Sequence, residues 1–155
     1  MTNLKPKLIV ALDVETFEEA RALVETLSPA VDIFKVGSQL FTSCGPVVVR
    51  FIQARGKEVF LDLKYHDIPH TVANAVGVAV KVLTPGRVTG QGDKSILMYT
   101  MHIVGGEEML LRALESAQKA AQDAGVRRPM SLGITVLTSE ESGDNRQLLV
   151  LKRAL

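Results

Sequence analysis

The sequence predicts an α/β protein whose core is a parallel sheet covered by helices. Two observations carry that expectation. Five apolar runs rich in β-branched residues alternate with five segments of helical periodicity, in units of about 30 residues. Polar or charged residues also stand at the carboxyl ends of the strand candidates, where parallel sheets carry their ligands.

The elements follow in order. Residues 8–14, "LIVALDV", form a continuous apolar run of the kind that a strand buried on both faces shows. Thr16 then opens a helix: Thr16 and Glu19 fit a capping box, Phe17, Ala20, Leu23, Val24 and Leu27 recur at helical spacing, and Ser28-Pro29 closes it. Residues 33–41, "IFKVGSQLF", are the second strand candidate. Gly45-Pro46 starts the next helix, with proline at a tolerated first position, and Gly56 stops it. Residues 58–68, "EVFLDLKYHDI", are the third strand, and residues 71–83, "TVANAVGVAVKVL", the third helix.

Residues 84–95, "TPGRVTGQGDKS", are polar and glycine-rich without periodicity and read as a loop. They do not match a Walker pattern, because Asp93 separates Gly92 from Lys94 and no apolar helix follows. Residues 96–104, "ILMYTMHIV", are the fourth strand, and 105–125 the clearest helix, with acids in its first turn and a terminal glycine. Residues 130–139, "MSLGITVLTS", are the fifth strand and 143–155 a fifth helix. Two architectures fit this βα alternation: an open doubly wound sheet and part of a (β/α)8 barrel. A complete barrel typically takes about 250 residues, so periodicity in a chain of 155 favours the open sheet. No glycine-rich dinucleotide turn follows the first strand, where "ALDVETFEE" stands instead.

Composition narrows the function classes. A net charge of +1 gives no electrostatic footprint for nucleic acid, and basic runs are absent. Cys44 is the single cysteine, so no intrachain disulfide forms and a reducing, cytoplasmic setting is expected. No stretch reaches the length of a membrane span.

The third strand carries the chemistry. Asp62 and Lys64 are two apart, so on a strand their side chains share a face, and Lys35 can approach them from the neighbouring strand. An ammonium flanked by carboxylates keeps its proton, because nearby opposite charge favours the charged form. A lysine held so is a proton donor; a Schiff-base lysine needs desolvation or neighbouring cations instead. The constellation therefore suggests proton delivery to a developing carbanion, and its bland counterpart is a structural ion-pair network. Other candidates are weaker. His66 and His70 are four apart with Pro69 between them, which disfavours a helical metal pair. Gly105-Gly106 could admit an anion to backbone amides or simply make a tight turn, and Thr138-Ser139 before Glu140 could be a helix cap.

"FLDLKYHDIPHTV" (60–72) resembles the signature of the orotidine 5′-phosphate decarboxylase family, Asp-x-Lys-x-x-Asp-Ile-Pro-x-Thr. "IVALDV", "FKVGSQLF", "MHIVGG" and "ITVLTS" resemble that family in the same order. The resemblance implies a (β/α)8 TIM barrel that works as a homodimer without metal or cofactor. It implies conversion of orotidine 5′-monophosphate to uridine 5′-monophosphate and carbon dioxide in pyrimidine biosynthesis. Lys64 would protonate C6, and Lys35, Asp62 and Asp67 would complete an alternating charge network, with Asp67 reaching the partner subunit's site. Asp13 would bind the ribose or base side, Ile68 and Thr71 would contact substrate across the dimer, and Thr138 would help hold the nucleotide.

A sister group of Mg²⁺-dependent sugar-phosphate enzymes shares a similar run but carries glutamate where this chain has Lys35, and an ammonium there repels a divalent cation. Against the family pattern, residues 84–95 read as an insertion or a scrambled stretch, and about five of roughly eight units are present. Residues 1–155 are accordingly expected to form a single partial barrel domain without the carboxyl-terminal units and their phosphate-gripping loops. The alternative of a different class is a catalytically impaired remnant acting as a structural or partner-dependent module.

Overall fold

The computed structural model of the chain describes residues 6–84, 96–137 and 139. Five parallel strands lie side by side in chain order: β1 (Ile9–Ala11), β2 (Ile33–Gly37), β3 (Glu58–Tyr65), β4 (Met98–His102) and β5 (Met130–Ile134). A doubly wound sheet reverses its strand order at a switch point. Here the order never reverses, so the open doubly wound sheet that periodicity favoured is not formed. With right-handed crossovers, each returning beside its own strand, all helices fall on one face, as in a barrel wall.

The helices are α1 (Phe17–Leu27), α2 (Ser38–Cys44), α3 (Pro46–Ala54), α4 (Pro69–Val82) and α5 (Glu107–Ala124). Their ends carry the local chemistry expected of them. The capping box of α1 is complete, with Thr16 Oγ1 accepting from the Glu19 amide and Glu19 Oε2 accepting from the Thr16 amide at 3.0 Å. Pro46 and Pro69 occupy first turns. Gly125 closes α5 at φ 66°, in the left-handed region that glycine enters without strain.

Successive residues along each strand alternate between the faces of the sheet. Phe34, Val36, Val59, Leu61 and Tyr99 are buried and join Val24, Ile52, Val76, Val80 and Ala117 of the helices in one core. The opposite face is more polar and receives Lys35 and Asp62. The helix layer is tight where α4 crosses α5: a Cβ on Gly77 would lie 2.5 Å from Ser116 Oγ.

All five strands are shorter than their expected runs: β3 ends at Tyr65 rather than residue 68, and β5 ends at Ile134 within the expected 130–139. β1 pairs only over residues 9–11, and Ile9 is 40% exposed rather than buried on both faces, because among the described residues β1 has a ladder partner only in β2. β2 stops at Gly37, and "SQLF" opens α2. As a helix, that segment turns Leu40, Phe41 and Cys44 together onto the core, whereas a strand would point Leu40 and Phe41 to opposite faces. β4 gives way to a 3-10 turn at Ile103–Gly105, and Gly106 leaves it at φ 88°, so the glycine pair makes a tight turn. The expected fifth helix and nearly all of the 84–95 loop lie outside the described residues. No helix among the described residues is long and apolar enough to cross a membrane.

Two stability outcomes follow. Thr16→Ala removes a side-chain cap and is expected to cost about 1 kcal/mol in chemical denaturation. Gly77→Val forces α4 away from α5 and is expected to cost about 1–3 kcal/mol through overpacking. An unchanged denaturation midpoint in the valine variant would contradict the close helix approach.

Candidate active site

The strands deliver four charged side chains to one place on the sheet's open face. Lys35 stands in the middle of β2, in register with Ala11 and Phe60, and Asp62 on β3 is in register with Gly37. Asp13 lies just past β1 and Lys64 near the end of β3. Lys64 Nζ donates to Asp62 Oδ1 at 3.0 Å and Oδ2 at 2.9 Å. Lys35 Nζ lies 3.5 Å from both Asp62 Oδ2 and Asp13 Oδ1. The result is a chain of alternating charge, Asp13–Lys35–Asp62–Lys64, graded in burial: the Asp62 side chain is 12% exposed and that of Asp13 74%.

Burial is the largest single influence on Asp62 and opposes its ionisation. Hydrogen bonds from Lys64 and Thr100, with the charges of Lys64 and Lys35, together outweigh it and hold the carboxyl below its ordinary value. The carboxylate therefore stays charged in a partly dry position, ready to act on a developing charge.

Lys64 and Asp62 meet, but not through regular strand alternation. Leu61 is in register with Tyr99 and Tyr65 with Met101, so β3 passes through Asp62, Leu63 and Lys64 while β4 passes only Thr100. Within this bulge Lys64 takes φ 51°, a left-handed conformation that costs an ordinary side chain about 1–2 kcal/mol. Backbone strain of this kind clusters at functional sites. Thr100, buried on β4, was not visible as a site residue in the sequence, where a threonine inside "MYTMH" reads as an ordinary strand former. The signal that could have found it is a polar residue at the centre of an apolar strand, opposite the Asp-x-Lys run.

The remaining expected residues lie elsewhere. Asp67 stands on the exposed loop after β3, where its Oδ1 accepts the Ile68 amide at 2.6 Å; it joins none of the ion pairs formed by the described residues around Lys35 and Lys64. Ile68 is 65% exposed at the entry to α4, and Thr71 is exposed in its first turn. All three project outward from the same corner. Thr138 lies outside the described residues. His70 Nε2 is 3.0 Å from Asn74 Nδ2, and the His66 ring packs against His102 with centroids 5.5 Å apart. Among the described residues no group of three or more His, Cys, Asp or Glu side chains is placed to hold a metal ion.

A sheet wound in one direction, with lysines and carboxylates interleaved on its open face, defines the class: a β/α-barrel protein with a charged site on the strand wall. Residues 6–154 match the family described as Orotidine 5'-phosphate decarboxylase / HUMPS family, and the chain belongs to that family. It is 44% identical over 133 residues to orotidine 5'-phosphate decarboxylase of Syntrophomonas wolfei, covering 86% of this chain and 51% of that protein. Against the Geobacter sulfurreducens protein of the same name the identity is 42% over 144 residues, covering 93% and 54%. The crystal structure of orotidine 5'-phosphate decarboxylase from Lactobacillus acidophilus matches at TM-score 0.72 and 31% identity, over 97% of this chain and 67% of that one. The chain thus spans about half the length of the curated relatives it matches.

The charge cluster makes a direct prediction. In Lys64→Ala, Asp62 loses two hydrogen bonds and a neighbouring cation, so its titration midpoint is expected to rise in a carbon-13 NMR pH series. A carboxyl held below its unfolded value adds stability that is complete above the ordinary carboxylate range and is lost as pH falls through the folded midpoint. The stability gap between parent and Lys64→Ala attributable to Asp62 therefore closes at acid pH. A gap that widens on acidification contradicts the assignment.

Proposed function

We propose that this chain carries the catalytic charge network of an orotidine 5′-phosphate decarboxylase, converting orotidine 5′-monophosphate to uridine 5′-monophosphate and carbon dioxide. The observation that carries the reading is Lys64 Nζ seated between both oxygens of Asp62, with Lys35 on the other side of the same carboxylate. Family membership and the shared name of the curated relatives support the substrate.

The chemistry follows from the charges. Orotidine 5′-monophosphate carries a carboxylate on C6 of its pyrimidine. When the C6–carboxyl bond breaks, its electron pair stays on C6 and carbon dioxide leaves. That carbanion has little delocalisation, so a fixed ammonium beside it stabilises the developing charge without reorganising. Lys64 then delivers a proton from Nζ to C6, giving uridine 5′-monophosphate. Asp62, held ionised, would face the departing carboxylate in this reading, and its repulsion would raise the energy of the bound substrate more than that of the transition state. It also fixes the ammonium of Lys64. Lys35 bridges Asp62 and Asp13, which supports a role in orienting the network; Asp13 is assigned to the sugar or base side from the family motif. Lys35 also favours this branch over a divalent-cation relative, since its ammonium occupies the position beside the carboxylates.

Asp67, Ile68 and Thr71 share an exposed corner, which supports their use across a homodimer interface toward a second site; Thr138 is assigned to the nucleotide from the family motif. A single cysteine supports a reducing, cytoplasmic setting.

The test is release of carbon dioxide from carboxyl-labelled orotidine 5′-monophosphate. It is run with the 155-residue chain alone and with the chain fused to the carboxyl half of the Syntrophomonas wolfei relative. At least one form is expected to be active, with Lys64→Ala lowering the rate by about a hundredfold or more, the usual scale of positioned proton transfer. Full activity in Lys64→Ala, or a folded fusion that binds uridine 5′-monophosphate but releases no carbon dioxide, would sink the reading.

A further inference from the structure

The bulge in β3 raises a question that the ion pairs do not answer: what holds Lys64 in a left-handed backbone at this point. An extra length of strand leaves main-chain groups without ladder partners, and a buried N–H left so is unfavourable. The Lys64 N–H is satisfied by a side chain. It donates to Thr100 Oγ1 at 2.8 Å. The same hydroxyl donates its own proton to Asp62 Oδ1 at 2.9 Å. Thr100 is 0% exposed, so its hydroxyl is shielded from solvent and committed to these two bonds.

One oxygen atom therefore ties the backbone of the lysine to the carboxylate that grips the lysine's own ammonium. The loop is closed: Thr100 to Lys64 N–H, along the Lys64 side chain to Nζ, from Nζ to Asp62, and from Asp62 back to Thr100. Its hydroxyl has one proton, and a carboxylate can only accept, so the direction of each bond is set. We infer that Thr100 is a positioning residue of this site, locking the bulged backbone of Lys64 and the rotamer of Asp62 in one arrangement. Its side-chain hydroxyl is committed to those two residues, and it is assigned to act through them. The inference rests on the decarboxylase reading for the reaction it serves, and on geometry alone for the lock itself.

Two variants separate the hydroxyl from the space it fills. Thr100→Val keeps the shape and removes the hydroxyl; Thr100→Ser keeps the hydroxyl and removes a methyl. The first readout is the carbon-13 titration of the Asp62 carboxyl in the 155-residue chain, where the charged groups facing Asp62 are Lys35 and Lys64, with Asp13 beyond Lys35. The midpoint is expected to rise in Thr100→Val and to remain close to the parent's in Thr100→Ser. The second is decarboxylation. In Thr100→Val kcat is expected to fall about tenfold to a hundredfold with KM little changed, and Thr100→Ser to stay within about threefold of the parent, as loss or retention of a bond to a charged group implies.

A valine variant with the parent's Asp62 midpoint and kcat overturns the inference. So does a serine variant as damaged as the valine one. If neither the 155-residue chain nor its fusion releases carbon dioxide while the Asp62 midpoint still rises in Thr100→Val, the lock stands and the decarboxylase reading fails. If Thr100→Val does not fold, hydrogen exchange of the Lys64 amide in the parent decides: slow exchange supports the lock, and exchange at the rate of a free amide overturns it.

Discussion

The handedness of parallel crossovers is the constraint on which the rest of this structure depends. Each strand pairs with the strand before it, and a right-handed return places every helix on the same side of the sheet. One face is therefore dry and the other open. Along β2 and β3 the same residues obey both environments at once: Phe34, Val36, Val59 and Leu61 go into the helix layer, and Lys35 and Asp62 stand on the opposite face. A doubly wound arrangement would have covered that second face with helices and buried its charges.

Within this frame the charge cluster is organised around one carboxylate. Asp62 accepts from Lys64 and Thr100 and faces Lys35, so three neighbours oppose its desolvation. A buried ion pair by itself is weak evidence for stability, because desolvation offsets much of the attraction. The local strain at Lys64 argues further that the arrangement is kept for chemistry: a regular strand would have been available to the backbone at lower energy. Membership in a decarboxylase family agrees with a site built to hold an ammonium beside a negative reaction centre.

Local signals in the chain proved readable where short-range forces decide the outcome. Thr16 and Glu19 form their capping box because the partners are three residues apart on the same turn. Pro46 starts a helix because its ring already has helical φ, and Gly125 ends one because only glycine enters the left-handed region freely. Asp62 and Lys64 were legible as a pair from their family motif and nearness in the chain, although a bulge and not the expected strand alternation brings them together. By contrast "SQLF" reads equally well as strand or helix, and burial of Leu40 beside Phe41 and Cys44 chose the helix. The edge position of β1 left Ile9 exposed although its apolar run suggested burial on both faces.

Sequence alone determined the alternation of strands and helices, the caps, the identity of the charged residues and, through the Asp-x-Lys-x-x-Asp run, the family. Each depends on neighbours close along the chain or on a motif contiguous in it. The one-way winding that periodicity missed was implied by the family motif. Tertiary structure alone decided the pairing of Asp13 and Asp62 through Lys35, the left-handed turn at Lys64 and the place of Thr100. Those depend on the register between strands. Thr100 is 36 residues from the amide it accepts and 38 from the carboxylate it serves, and only the β3–β4 bulge brings them together.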